Sequence, residues 1–323
     1  MDYRNLGRAG VKVSSLCLGC MNFGGPTDED EATSIIHKAL DAGINFIDTA
    51  NVYNKGESEK IVGKALAGRR DEVVLATKVH GRMGDGPNDR GNSRYHIMQQ
   101  VEASLKRLQT DHIDLYQLHR PDPDTPMDEQ LSALTDLVRQ GKVRYLGTST
   151  FPSCSLSESL WVSETHNFER FVCEQPPYNI LCRRIEDDIL PFCRKHGFAV
   201  IPWSPLAGGW LTGKYRRDEE APADSRARQH GWDLGSGAAK QRLDVIEKLF
   251  DVVENQGKPG GTMSQFALAW LLHQPGVTAP IIGPRTCEQL DDNLHALDIT
   301  LSDEALQRVD DAVECGCDLM GYC

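Results

Sequence analysis

Short apolar runs rich in β-branched residues alternate along this chain with longer stretches whose apolar residues recur every three or four positions. The runs predict strands at residues 15–18, 45–48, 73–78, 113–119, 143–147, 171–175, 199–203 and 279–283. Between them the period lengthens to that of a helix. Residues 28–42 place Ala32, Ile35, Ile36 and Leu40 on one stripe, which Gly43 stops. Residues 94–108, 127–140 (ended by Gly141), 185–196 (ended by Gly197) and 262–273 behave alike. A hairpin precedes the first unit, over residues 3–6 and 11–13, turning at Arg8-Ala9-Gly10. Strand–helix units in this order, with short links, predict a parallel sheet closed on itself: an α/β fold of the (β/α)8 TIM-barrel kind with an N-terminal β-hairpin cap. An open doubly wound sheet is the alternative. It would carry a G-x-G-x-x-G loop after an early strand, and none follows any strand here.

Two stretches fall outside the repeat. Residues 208–240, a long loop after the seventh barrel strand, are rich in Gly, Arg, Asp and Pro and predict a mobile loop over one face. The tail after Asp303 starts as a helix on Ala305, Leu306, Val309 and Ala312 and ends irregularly. No linker interrupts residues 1–323, so one barrel domain is expected. A formal net charge of -12 argues against nucleic acid or an anionic membrane as partner, while leaving room for a local basic pocket. No apolar run approaches the ~20 residues that span a bilayer, and Met1-Asp2-Tyr3-Arg4 lacks the basic-then-apolar pattern of a signal peptide. No membrane insertion and a cytoplasmic location are therefore expected. The 10 cysteines are scattered and read as reduced thiols. Cys17-Leu-Gly-Cys20 has C-x-x-C spacing but sits among Val13, Leu16 and Leu18 in a strand-like setting. Cys315, Cys317 and Cys323 crowd the tail. Both groups read as buried or idle thiols rather than metal or redox sites.

In such a barrel the chemistry sits at the C-terminal ends of the strands. The predicted strands end in Asp48, Lys78, His119, Ser149 just beyond Gly147, Gln175, Ser204 just beyond Trp203, and Gly283, so an acid, a base, an imidazole and hydrogen-bonding groups face one mouth. The sharpest group is Asp48, Tyr53, Lys78 and His119. A carbonyl that accepts hydride develops negative charge on oxygen and needs a proton donor. A phenol, with a pKa near ~10, is a weak acid for that task at neutral pH. A lysine ammonium beside it stabilises phenolate, and a carboxylate keeps that lysine charged and oriented. Histidine can then orient the carbonyl or share the proton.

With these residues in view, the chain resembles an aldo-keto reductase over nearly its whole length. The resemblance rests on Tyr3-Arg4-Asn5-Leu6-Gly7, Gly43-Ile-Asn-Phe-Ile-Asp48-Thr-Ala-Asn-Val-Tyr53, Ala76-Thr-Lys78, Asp114-Leu-Tyr-Gln-Leu-His119-Arg-Pro-Asp, Trp203-Ser-Pro-Leu206 and Gln289-Leu-Asp-Asp-Asn293. His119-Arg-Pro-Asp-Pro-Asp-Thr-Pro-Met127, Gly147-Thr-Ser149 and Gly213-Lys214-Tyr215 are similar to the subgroup that includes the β subunits of voltage-gated potassium channels. The resemblance implies Tyr53 as proton donor, Asp48 and Lys78 as its tuning pair, and His119 as the carbonyl-orienting residue. Channel β subunits typically have asparagine at the place of His119, so the histidine favours an enzyme.

The resemblance also implies NADPH/NADP+ as cofactor, extended across the barrel mouth. Gly19 and Met21 match the loop after the first strand, and Asp48 counts among the contacts. Ser149 and Gln175 match the pair that bonds the nicotinamide carboxamide. Trp203 matches the aromatic platform under the ring; a bare tryptophan ending a strand would read as core, and the Ser-Pro-Leu after it reverses that reading. Ser204, Pro205, Leu206, Ala207, Gly208 and Lys214 resemble the segment around the pyrophosphate. Residues 208–214 also fit G-x-x-x-x-G-K, but Tyr215 follows where a triphosphate loop needs Ser or Thr, and that reading is rejected. Arg226 matches an arginine that reaches over the cofactor. Gly283, Arg285, Gln289, Asp292 and Asn293 match the adenosine end, with Arg285 expected at the 2′-phosphate because a guanidinium forks phosphate and stacks on adenine. Thr150 stands where many members have asparagine, and Asp224 where some have an aromatic residue.

The expected function is NADPH-dependent reduction of a small aldehyde or ketone. A cofactor-sensing regulatory subunit of a membrane protein and an oxidising sugar or polyol dehydrogenase are the competing readings. A homo-oligomer is compatible with the resemblance, since relatives range from monomers to tetramers and larger rings. The polar loop bearing Arg82, Asp85, Asp89 and Arg90 leans toward a hydroxylated substrate.

Overall fold

The computed structural model describes residues 1–217, 219–223, 225–255 and 261–322. Strands β1 (Tyr3–Asn5) and β2 (Lys12–Ser14) pair antiparallel with Arg4 opposite Val13. Eight parallel strands follow: β3 (Cys17–Gly19), β4 (Phe46–Asp48), β5 (Val74–Val79), β6 (Ile113–Leu118), β7 (Val143–Ser149), β8 (Phe171–Gln175), β9 (Ala199–Val200) and β10 (Ile281–Ile282). They lie in sequence order, with β10 returning beside β3. The last gap is bridged by Val200 and Val277, and by Thr278 N donating to the Val200 carbonyl at 2.7 Å and Ile281 N to the Pro202 carbonyl at 2.9 Å. The sheet thus curls into the predicted (β/α)8 barrel. Its last two strands are shorter than the apolar runs because Pro202 and Pro280 have no N–H to give to a ladder.

Around it run α1 (Glu29–Asp41), α2 (Glu57–Ala65), α3 (Arg94–Leu108), α4 (Met127–Arg139), α5 (Ser153–His166), α6 (Ile189–His196), α7 (Arg226–His230), α8 (Gly237–Asn255), α9 (Met263–His273), α10 (Cys287–Leu294) and α11 (Asp303–Ala312). Asp28 caps α1 by accepting from Glu31 N, and Thr262 with Gln265 forms a full capping box on α9. The stretch expected to run as one helix over 185–196 is split: a 3-10 turn at Arg184–Glu186 precedes α6, and Asp188 breaks the two apart.

Two separate apolar clusters stabilise this arrangement. One fills the barrel itself with small and medium side chains, among them Cys17, Phe46, Ala76, Leu115, Cys173, Ala199 and Ala279, and Leu6 and Val13 of the hairpin plug its floor. The other lies between strands and helices. The plug fits because Gly7, at φ +58°, presses on β8 and β9; a Cβ there would lie 2.4 Å from the Val172 carbonyl oxygen. Arg4 pins the hairpin to the closing segment, donating to the carbonyls of Val277 at 2.8 Å, Leu272 at 3.3 Å and Thr278 at 3.4 Å.

The described residues of 208–240 are more ordered than the composition suggests. They hold part of a 3-10 segment (Ala207–Thr212), α7 and the start of α8. Trp210 and Tyr215 are buried there, and Trp210 stacks on Trp232 with centroids 5.8 Å apart. Aromatic burial outweighs the glycines and charges that read as a loop. No helix among the described residues is long and apolar enough to cross a membrane.

Candidate active site

Neighbouring parallel strands bring the first three site residues together. Asp48 ends β4, Lys78 lies on β5, and the ladder sets Asp48 beside Ala76. Lys78, with no exposed surface, donates from Nζ to the Asp48 carboxylate, to the Thr49 carbonyl at 2.8 Å and to Tyr53 Oη at 3.3 Å. The second carboxylate oxygen of Asp48 accepts from Gln117 Nε2 at 2.9 Å and Gln175 Nε2 at 3.1 Å. The acid is therefore held from both sides. A buried charge without such partners would cost several kcal/mol.

Tyr53 enters from the loop behind β4. It opens a 3-10 turn in which Asn54, Lys55 and Gly56 all take left-handed conformations, at φ 47°, 56° and 92°. Asn54 stabilises that turn, its Nδ2 donating to the Phe23 carbonyl at 2.7 Å and the Met21 carbonyl at 3.2 Å. His119 follows β6 and meets the Tyr53 ring edge-on, at 83° and a centroid distance of 5.6 Å.

The electrostatics differ from the sequence expectation in one respect. Burial would drive Lys78 down, but Asp48 and Tyr53 outweigh it and its pKa stands above the ordinary lysine value. For Tyr53 burial is the largest influence and raises its pKa; Lys78 pulls the other way without overtaking it. The ammonium thus acts in the expected direction, yet the phenol is a weaker acid here than in water, because the desolvated site penalises phenolate. Burial, then Lys78, Arg120 and His80, push His119 down to about 2, so its ring is neutral.

The residues matched to a cofactor group into three sets. Ser149 Oγ donates to the Gln175 carbonyl at 2.9 Å, while the Gln175 amide is engaged by Asp48 and by Gln117 at 3.1 Å. Trp203, half-buried past β9, donates from Nε1 to Thr150 Oγ1 at 3.4 Å and carries the Tyr322 ring at 4.9 Å. Ser204 Oγ and Tyr322 Oη lie 3.1 Å apart. Pro205 and Ala207 are buried, Leu206 is half-buried, and Gly208 sits under Trp232, Arg226 and Tyr322. Lys214 lies over the Tyr215 ring at 5.6 Å. Arg226 has its pKa lowered by burial and then by Arg285, so two guanidiniums crowd one rim. At the far end Arg285 N donates to Gln289 Oε1 at 2.9 Å, and Asn22 Nδ2 to the Gly283 carbonyl at 3.1 Å.

Other matched residues have evident structural duties. Gly19 lets β3 approach β10, since a Cβ would lie 2.5 Å from Ile281 Cγ2. Asp292 accepts from Gln265 Nε2 at 2.7 Å and from Thr262 Oγ1 at the start of α9, and Asn293 is buried. Met21 is exposed on the rim. Cys17 and Cys20 are buried, and desolvation holds both thiols well above their ordinary pKa. Asp224 and Cys323 lie outside the described residues.

Residues 15–314 match the model of the Aldo/keto reductase family. The chain belongs to this family. It is 46% identical over 322 residues to an uncharacterized oxidoreductase, YrpG, of Bacillus subtilis (strain 168), covering 96% of this chain and 95% of that protein. It is 37% identical over 306 residues to a probable voltage-gated potassium channel subunit beta of Arabidopsis thaliana, covering 93% and 92%. To versiconal hemiacetal acetate reductase of Aspergillus parasiticus it is 34% identical over 345 residues, covering 96% of each. Aldo/keto reductases with oxidoreductase relatives of this closeness are reductases in general activity.

Sequence reasoning missed four residues that this aldo/keto reductase places in or against the mouth. Gln117 was findable, because it precedes His119 by two within the run 113–119 that the sequence reads as one strand, where alternate residues share a face. Asn54, Arg120 and Glu174 gave no signal beyond adjacency to residues that did.

Proposed function

We propose that this chain reduces an aldehyde or ketone to the alcohol with NADPH. The contact of Lys78 with both Asp48 and Tyr53 carries the reading. When bound, the reduced nicotinamide supplies hydride to the carbonyl carbon. Tyr53 Oη gives its proton to the carbonyl oxygen as charge builds there, and Lys78 stabilises the phenolate left behind. Asp48 keeps Lys78 charged throughout. Neutral His119 can donate one ring N–H to the same oxygen and so orient it. Trp203 offers a flat face for a nicotinamide, with Ser149 and Gln175 at its edge. The crowding of Arg226 and Arg285 in a protein of net charge -12 suits a polyphosphate, and Arg285 is the residue for the 2′-phosphate.

Tyr53→Phe should lower kcat by about 10²- to 10⁴-fold while NADPH still binds. Wild-type turnover in that variant would sink the mechanism. Arg285→Ala should shift the NADPH over NADH ratio of kcat/KM toward NADH by about 10-fold or more, a charge-assisted pair being lost. An unchanged ratio would remove the case for NADPH.

A second reading, a cofactor-sensing subunit of a membrane protein, draws on the relatives named as channel β subunits. Redox-dependent association with such a partner, in a protein that turns over no carbonyl, would favour it.

A further inference from the structure

Arg120 follows His119 and turns its guanidinium back into the mouth. Nη1 donates to the His119 carbonyl at 2.8 Å, to Thr150 Oγ1 at 3.1 Å and to Ser149 Oγ at 3.4 Å. Cζ lies 5.6 Å from the centroid of the Trp203 ring. Nη2 and Nε donate to nothing among the described residues, and no described carboxylate lies within ion-pair distance of the guanidinium. Several other partly buried arginines here are matched with acids, Arg70 to Asp114, Arg107 to Glu59 and Arg183 to Glu186, while Arg4 spends both terminal nitrogens on backbone carbonyls.

A half-buried guanidinium normally recovers its lost hydration through an acid partner or a set of acceptors. Burial does lower the pKa of Arg120, with Tyr53 and Glu174 pulling weakly the other way. It keeps one edge unspent, in the mouth beside Ser149, Thr150 and Trp203 and close enough to Tyr53 to feel its charge. We propose that Arg120 is an anion subsite and that the preferred substrates are carbonyl compounds bearing a carboxylate, which the free edge of the guanidinium grips in a two-point fork. This rests on the reductase reading above and adds the substrate class to it. A guanidinium suits this task because its planar fork matches a carboxylate and its face packs on an aromatic ring. A local positive group also draws an anion into a mouth that the net charge of -12 would otherwise disfavour.

The test compares 4-formylbenzoate with its methyl ester, two aldehydes of like shape that differ by one charge. The wild type should favour the carboxylate in kcat/KM by about 10- to 100-fold, mainly through KM. In Arg120→Gln that ratio should collapse toward one, while NADPH affinity, read by its fluorescence on titration, stays within about threefold. Arg120→Lys, which keeps the charge and loses the fork, should fall between. A wild type indifferent to the charge, or an Arg120→Gln ratio equal to that of the wild type, overturns the proposal. So does a large loss of NADPH affinity with both aldehydes affected alike, which would assign Arg120 to the cofactor. If the wild type reduces neither aldehyde, the reductase reading fails by itself. Calorimetric binding of 4-formylbenzoate against the ester, in wild type and Arg120→Gln, then still decides the subsite.

Discussion

At the scale of single residues, this site works by desolvation as much as by charge. Lys78 is buried and Tyr53 half-buried, and both stand above their ordinary pKa values because one stays paired and the other stays neutral. His119 is the sharper case. Its ring, pushed down to about 2, refuses a proton that the unfolded chain accepts below about 6.5. The folded pKa is depressed, so the stability it brings is complete above 6.5 and drains away as pH falls through the window toward 2. His119→Gln should therefore flatten the acid limb of a plot of unfolding free energy against pH, measured by urea titration from pH 7 to 4. A slope as steep as the wild type's would contradict the neutral ring. The gathering of Asp48, Lys78 and His119 at one mouth was legible in the sequence because each stands at the C-terminal end of a barrel strand. The direction of the Tyr53 shift was not, since it depends on how deeply the fold buries the phenol.

At the scale of elements, positive φ in non-glycine residues concentrates on the rim that carries the candidate site. Asn54, Lys55, His80, Thr150, Ser204 and Ala207 all lie on loops that follow barrel strands, whereas Gln109 and Asn167 end helices. Left-handed turns cost roughly 1 kcal/mol or more apiece, and here they aim Tyr53, Ser149 and Trp203 at one point. Glu174 supports the turn after β7: its carboxyl accepts from Thr148 Oγ1 and from Phe151 N at 3.1 Å, with no exposed surface. Burial raises it from 4.5 to about 7, against the pull of those hydrogen bonds and of Arg120. A raised acid stabilises the fold fully below its unfolded pKa, and that contribution is lost as pH rises from 4.5 through 7. Glu174→Gln should remove a loss on the order of 2–3 kcal/mol between pH 5 and 8. Melting midpoints that decline with pH as in the wild type would refute this. Among the helices, α5 escaped sequence reading because its serines leave few apolar residues and no single stripe, and α2 because its signal starts inside the strained turn at Gly56.

At the scale of the molecule, closure of the barrel depends on contacts between its two ends. Arg4, near the N-terminus, bonds three carbonyls of the segment leading into β10. Arg4→Ala would leave these partly buried acceptors unmet. It should cost about 2 kcal/mol, read as a lower urea midpoint with an unchanged slope. A midpoint equal to the wild type's would mean that the hairpin merely decorates the floor. The same contact shows why local pattern could not supply closure, for it spans some 270 residues of chain.

The sequence by itself determined the alternation of strand and helix, the polar residues at the strand ends and the family, because these follow from periodicity and residue type. Tertiary structure alone decided which polar groups share a desolvated space. That space holds Lys78 against both Asp48 and Tyr53, packs Tyr215 and Trp232 around Trp210, and leaves Arg120 with an unspent edge. Such facts depend on distance and dielectric, and neither is written in the order of residues.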